Sequence, residues 1–161
     1  MQHFRVQVAD WAVGQGDTLI TTLGLGSCVA IAIHDPQTLV GALAHILLPE
    51  QMTSAPAPNR AKFACTAVPM LLEEMARLGG GPAPRLRARL AGGASMFASL
   101  LQNGGMNVGE RNVVAARAAL SRAGVAIVGQ DTGGDYGRSV YFDLRDGKVE
   151  VRSLKRGTNV I

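Results

Sequence analysis

Between Cys28 and Leu48 the chain carries two apolar runs in which hardly a position is given over to solvent, CVAIAIH and then LVGALAHILL, on either side of Asp35-Pro36-Gln37-Thr38. Strands that are apolar on both faces belong inside a covered sheet. Asp at the first turn position and Pro at the second predict a tight reversal, and hence an antiparallel hairpin. Upstream, His3 to Val8 and Thr18 to Thr22 read as short strands joined through Gly14-Gln15-Gly16-Asp17. Downstream, Gln51 to Arg60 is rich in Pro, Ser and Asn and reads as a loop, a candidate flap over a site. Phe63, Ala67, Met70, Leu71, Met75 and Leu78 follow helical spacing, and Gly79-Gly80-Gly81 stops that helix. Pro69 falls inside it, so either the helix kinks there or its regular part begins near Thr66.

Alternation returns from Pro84 to Leu90, a strand that runs into the bend Ala91-Gly92-Gly93-Ala94-Ser95 and a short helical segment through Leu101. Asn107 is placed as an N-cap with Glu110 three residues on, which opens a second long helix to about Ala123, closed by Gly124. Val125 to Gly129 reads as a strand and Asp131-Thr132-Gly133-Gly134 as a turn. Ser139 to Leu144 and Lys148 to Ser153 form a second hairpin across Asp146-Gly147. No internal repeat appears. The expectation is one domain over residues 1–161, of α+β class, with a mixed, largely antiparallel sheet arrangement flanked by helices.

At 161 residues the chain can bury about 70% of its unfolded surface. With only 4% aromatic residues, its core must rest on Ala, Val, Leu and Ile. The net charge of +4 permits an acidic partner. Nothing resembles a nucleic-acid reader, because neither an aromatic-plus-basic stacking motif nor a Cys/His finger spacing is present. Arg85, Arg87 and Arg89 alternate with Leu86, Ala88 and Leu90, and read as the solvated face of a strand. Two cysteines in dissimilar settings and an N-terminus without a signal-peptide pattern fit a cytoplasmic protein. No apolar run is long enough to insert in a membrane. Nothing in the pattern signals an oligomer, so a monomer is expected.

The hairpin gives the chain its candidate chemistry. If its strands pair about a centre between Pro36 and Gln37, Cys28 lies opposite His45 on one sheet face. A loop of two or four residues keeps the two on that face, whereas an odd loop separates them. A neighbouring imidazole can activate a thiol as nucleophile and return its proton to a leaving group. The loop Leu23-Gly24-Leu25-Gly26-Ser27 bends the backbone in front of Cys28, so N–H groups around Gly26 and Ser27 are candidates to hold an oxyanion. If Thr18–Thr22 pairs beside the Cys28 strand, the Thr22 hydroxyl is placed to orient the imidazole. Cys65 reads as a packed helix residue and His34 as a polar residue flanking the turn. Spacing argues against a metal site, since no C-x₂₋₄-C or H-x₃₋₅-H pair occurs. The Gly24-Leu25-Gly26 turn precedes a strand, which argues against a phosphate loop.

Thr22-Leu23-Gly24-Leu25-Gly26-Ser27-Cys28-Val29, Gly41-Ala42-Leu43-Ala44-His45 and Leu48-Pro49 together resemble the CheD family of chemoreceptor glutamine deamidases. Ala91 to Phe97, Asn107 to Asn112, Asp131 to Gly134 and Gly137-Arg138 extend the resemblance in family order, so it covers about residues 18 to 153. It implies an α/β sandwich related to the catalytic domain of the cytotoxic necrotizing factor toxins. It also implies a Cys28, His45 and Thr22 catalytic set that works without a cofactor. The implied reaction is hydrolysis of receptor glutamine side chains to glutamate through a Cys thioester. The resemblance further implies a possible partner, the phosphatase CheC, which leaves open a role as a binding module. Departures are confined to the composition of the Gln51–Arg60 loop and to Pro69.

Overall fold

In a computed structural model, residues 1–49, 59–95 and 107–161 are described. Ten strands form two five-stranded sheets among these residues: β1 (Gln2–Val6), β2 (Trp11–Gln15), β3 (Thr18–Leu25), β4 (Val29–His34), β5 (Val40–Ile46), β6 (Arg87–Gly92), β7 (Ala126–Thr132), β8 (Arg138–Asp143), β9 (Val149–Ser153) and β10 (Gly157–Val160). The first sheet runs β1-β3-β8-β9-β10 and the second β2-β5-β4-β6-β7. Helices α1 (Ala64–Arg77) and α2 (Val108–Ala123) pack on the outer face of the second sheet. Most pairings are antiparallel; β1–β3 and β6–β7 are parallel. The α+β class expected from the pattern and the sandwich that the resemblance implies are therefore what forms.

Strands β4 and β5 are buried along their whole lengths because each face has its own cover. Val29, Ile31, Ile33, Val40, Ala42, Ala44 and Ile46 pack under the helices. Ala30, Ala32 and Leu43 face the first sheet, against Ile20, Val140 and Phe142. The small alanines let the sheets approach closely at the centre, and polar side chains take the remaining inter-sheet positions toward the Cys28 end.

The β4–β5 hairpin closes one residue later than the sequence suggests. Asp35 pairs with Val40, donating its N–H to the Val40 carbonyl, and the Leu39 N–H returns to the Asp35 carbonyl. The four-residue loop Pro36–Leu39 is completed by Leu39 at φ 60°. Ala30, not Cys28, consequently lies opposite His45. The displacement is two positions in register, so the face of every side chain is unchanged. Asp35 fixes this geometry. Its fully buried carboxylate accepts from Gln37 N–H, the Thr38 hydroxyl, Gly81 N–H and two nitrogens of the Arg85 guanidinium, Nε and Nη2, at 2.7 to 3.0 Å. Burial pulls its pKa upward, but Arg85 and the other donors outweigh that and hold the carboxyl well below the usual range.

Other expectations are corrected. Trp11–Gln15, read as part of a connection, is strand β2, and Gly157–Val160 is an edge strand formed by backbone pairing to β9. Strand β6 begins at Arg87, because Ala83–Arg85 is a 3-10 turn that sends Arg85 to Asp35. Arg85, Arg87 and Arg89 are each half-buried rather than a wet stripe. Helix α1 runs through Pro69, which lies on its exposed side. Cys65 is also exposed, one step round the helix from the buried Ala64. His34 is buried: its Nε2–H donates to the Leu144 carbonyl at 2.8 Å, and its ring meets Phe142 edge-on. The Asn107 cap and the Gly124 stop of α2 form as the sequence predicts. Asp131 and Thr132 belong to β7, so that turn starts at Gly133. Residues 51–58 of the candidate flap Gln51–Arg60 and residues 96–101 of the segment through Leu101 lie outside the described residues, while Arg60 opens a 3-10 turn, Arg60–Lys62, capped by Asn59.

Removing the Asp35 carboxylate takes away the acceptor that fixes the hairpin turn and leaves Arg85 without its partner. Asp35→Ala is expected to lower the unfolding free energy by about 3 kcal/mol, read as a lower urea midpoint at unchanged slope.

Candidate active site

His45 sits near the end of β5, with its ring turned into the space between the sheets and no solvent exposure. Cys28 immediately precedes β4 and belongs to the inter-sheet core, along with Ala30 and Ala32. Thiol and imidazole therefore share one face as diagonal neighbours across the β4–β5 ladder, a spacing that an aromatic-sized side chain can span.

Thr22 reaches the histidine by a route the sequence did not suggest. Strand β3 pairs with β1 and β8 in the first sheet, so Thr22 faces His45 across the sandwich rather than from a neighbouring strand. Its Oγ1 lies 2.7 Å from His45 Nδ1 and 2.8 Å from the Val6 carbonyl. A carbonyl can only accept, so the hydroxyl gives its proton to Val6 and accepts from Nδ1–H. This hydrogen-bond logic assigns the tautomer: the Nδ1 proton is held, and Nε2 carries the free lone pair. Nε2 is buried without a partner among the described residues.

Electrostatics keep the pair uncharged at rest. Burial pushes the His45 pKa down to about 4. Burial also pushes the Cys28 thiol up. A neutral imidazole beside a neutral thiol can take the sulfur's proton as the sulfur attacks an electrophile. Neither group has to hold a buried charge beforehand.

The backbone before Cys28 is pinned by its carbonyls. Ala94 N–H donates to Gly26 O at 2.9 Å and Gly93 N–H to Cys28 O at 2.8 Å. Asn112 Nδ2 on α2 donates to Ser27 O at 2.9 Å and to Leu47 O at 3.1 Å. In a trans peptide group the N–H points opposite to the carbonyl, so the Ser27 and Cys28 N–H groups face away from these anchors. Among the described residues neither has a backbone acceptor. Gly92 makes the close approach possible: at φ 109°, a Cβ there would stand 2.3 Å from the Cys28 carbonyl oxygen. The Gly26 and Ser27 carbonyls, and with them the directions of the Ser27 and Cys28 N–H groups, are thereby fixed.

Asn112 and Arg138 fall within the motif blocks, and the spacing of residues along the sequence assigns neither a role. Arg138 is buried at the start of β8, ion-paired to Asp131 at 2.9 Å and stacked over Tyr136 at 4.1 Å. It pairs with Leu25 of the nucleophile loop, and a cleft of about 590 Å³ lined by Gly24, Tyr136 and Arg138 opens there. A buried polar residue on an otherwise apolar helix stripe was the available signal for Asn112. Among the described residues no three His, Cys, Asp or Glu side chains converge as metal ligands, and no helix is long and apolar enough to cross a membrane.

The His45 ring is expected to keep its proton on Nδ1 and to titrate near pH 4 by ¹⁵N NMR, against 6.5 for an unburied imidazole. Because its folded pKa lies below the unfolded one, the folded chain binds fewer protons. That contribution to stability is complete above pH 6.5 and is lost as pH falls through 4, a loss of roughly 3 kcal/mol. Thr22→Val should cost about 1–3 kcal/mol by stranding two buried polar groups, and should let the ring proton redistribute to Nε2.

Comparison with known proteins extends the geometry. The family model described as CheD chemotactic sensory transduction matches residues 47–153. A protein of Caldanaerobacter subterraneus subsp. tengcongensis, named probable chemoreceptor glutamine deamidase CheD, is 43% identical over 157 residues, which span 98% of this chain and 96% of the relative. A Geobacter metallireducens protein, probable chemoreceptor glutamine deamidase CheD 2, is 45% identical over 152 residues, 94% of this chain and 93% of its own. The Pyrococcus horikoshii protein of the same name as the first is 42% identical across 98% of this chain and 96% of its own. The crystal structure of Neisseria meningitidis protein NMB0706 shares the fold at a TM-score of 0.51 and 16% identity, over 91% of this chain and 71% of that one. The motif blocks read from the sequence, the sandwich that carries them and near-full-length relatives agree: this chain belongs to the CheD family.

Proposed function

We propose that this chain hydrolyses the side-chain amide of glutamines in the cytoplasmic helices of chemoreceptors, giving glutamate and ammonia. The observation that carries the reading is the Thr22–His45 pair, with Nδ1 held by a hydroxyl and Nε2 without a partner among the described residues, on the sheet face that Cys28 shares. The names borne by the relatives supply the substrate class.

Cys28 acts as nucleophile. As Sγ attacks the carboxamide carbon, its proton passes to His45 Nε2, and the C=O electron pair moves onto oxygen. That oxygen is received by the Ser27 and Cys28 N–H groups, whose carbonyls are tied on the far side. The imidazolium then protonates the amide nitrogen, the C–N bond breaks, and ammonia leaves a γ-glutamyl thioester. Water attacks the thioester with its proton taken by Nε2. Sγ departs, is reprotonated, and glutamate is released. Thr22 holds the imidazolium as it forms, since Nδ1–H still has its acceptor. The depressed basicity of His45 makes its imidazolium a strong acid, which suits the step that expels an amine.

The test is mass spectrometry of glutamine-bearing receptor fragments after incubation with the protein, looking for the amide-to-acid mass gain. Wild type should convert them, and Cys28→Ala should not; equal conversion by both would refute the assignment. The pH profile of kcat/KM should hold level from about pH 8 down to about pH 5 and fall only as His45 protonates near 4. An acid limb near 6.5 would count against a buried neutral base.

A further inference from the structure

We infer that Asn112 is a positioning residue for this hydrolysis, setting the direction of the Cys28 N–H that receives the oxyanion. The inference rests on the deamidase reading above and goes beyond it in giving a role to a side chain that touches none of the reacting groups.

Asn112 is fully buried on the first turns of α2, a helix whose start is fixed by the Asn107 side chain accepting from Glu110 N–H at 2.9 Å. Its two acceptors are both main-chain carbonyls, so the amide nitrogen is the atom that faces them. One carbonyl belongs to Ser27, whose peptide group also contains the Cys28 N–H. The other belongs to Leu47, which lies just past the Val29–Ile46 end of the β4–β5 ladder, as Cys28 does on the other strand, and follows His45 by two residues. A single carboxamide therefore bridges the strand ends that carry the nucleophile and its base. With the Ser27 oxygen drawn toward α2, the planar peptide group sends the Cys28 N–H the opposite way, away from the helix.

The strand ladder does not do this work. Gly93 donates its N–H to the Cys28 carbonyl, but at φ 70° it turns its own carbonyl away, and no N–H from Cys28 answers. The Gly93 and Ala94 oxygens abut Gly109 instead, where a Cβ would stand 2.2 Å from the Ala94 oxygen. That contact seats α2 close enough for Asn112 to reach Ser27. The other amide atom, Asn112 Oδ1, is buried without a partner among the described residues. The side chain is thus committed as a donor at the cost of an unsatisfied acceptor.

An oxyanion donor matters to acyl chemistry at a carbonyl, and not to alkylation of the same sulfur by iodoacetamide, which displaces iodide without forming an oxyanion. The two reactions separate the proposed role from a general one in folding. Asn112→Ala is expected to lower kcat on receptor fragments by about 100-fold with KM within a few-fold. Alkylation of Cys28, read apart from Cys65 by peptide mass mapping, should keep its wild-type rate. Asn112→Gln retains the donors one methylene farther out; it should fold, alkylate normally and still lose at least about 10-fold in kcat, and it is the variant to read if the alanine chain does not fold. Retention of kcat by either folded variant would overturn the inference, as would loss of alkylation in step with kcat, or failure of both variants to fold. Cys28→Ala run alongside distinguishes the two levels: if it is inactive while the Asn112 variants keep wild-type kcat, the deamidase reading stands and the role of Asn112 falls. If Cys28→Ala is as active as wild type, the deamidase reading itself falls.

Discussion

One hydroxyl group joins the two halves of the molecule. Thr22 gives its proton to Val6 and takes one from His45, so a strand pair in the first sheet decides the tautomer of a ring in the second. Everything proposed for the thiol depends on that choice, because a proton on Nε2 would leave it no lone pair to accept the proton of Cys28. The link is also sealed: Thr22 is 1% exposed and His45 not at all. Water cannot substitute for either partner without opening the sandwich.

The same burial shapes the energetics of the pair. A surface Cys/His couple can rest as thiolate and imidazolium, since solvent supports both charges. Here the low-polarity setting penalises each charge separately, and in the proposed mechanism proton transfer waits for a substrate carbonyl to receive the developing negative charge. Backbone amides are suited to that duty because their direction is set in advance by what holds their carbonyls. The Gly92-Gly93 bend and α2 supply that hold from outside the strand that bears the nucleophile.

What the sequence revealed follows from which features are periodic. The period of two along a strand places Cys28 and His45 on one face, and this survives a two-position error in register. The register itself turned on Asp35, whose carboxylate holds the turn from outside it and pairs with Arg85 fifty residues away, and local turn rules carry no such information. Thr22 was recognised by its chemistry but assigned to the wrong neighbour, because a five-residue loop can lead to the adjacent strand or across to the opposite sheet with equal ease. Strand β10, with every residue exposed, is made by backbone pairing alone and leaves no apolar alternation to read. His34 and Cys65 exchanged their expected environments for a similar reason. A strand end can be covered by a distant turn, and one step round a helix moves a side chain from core to surface.

The placement of Thr22 and His45 on opposing sheets has a temporal consequence. Their strands lie close in sequence, yet the two meet only when the sheets close on each other, and the Gly92-Gly93 bend and α2 that brace the loop come much later in the chain. A growing polypeptide emerging from the ribosome holds the thiol and imidazole long before it can hold them in working order. The Thr22–His45 contact arrives only with tertiary closure, so a nascent or misassembled copy lacks the hydrogen bond that sets its imidazole.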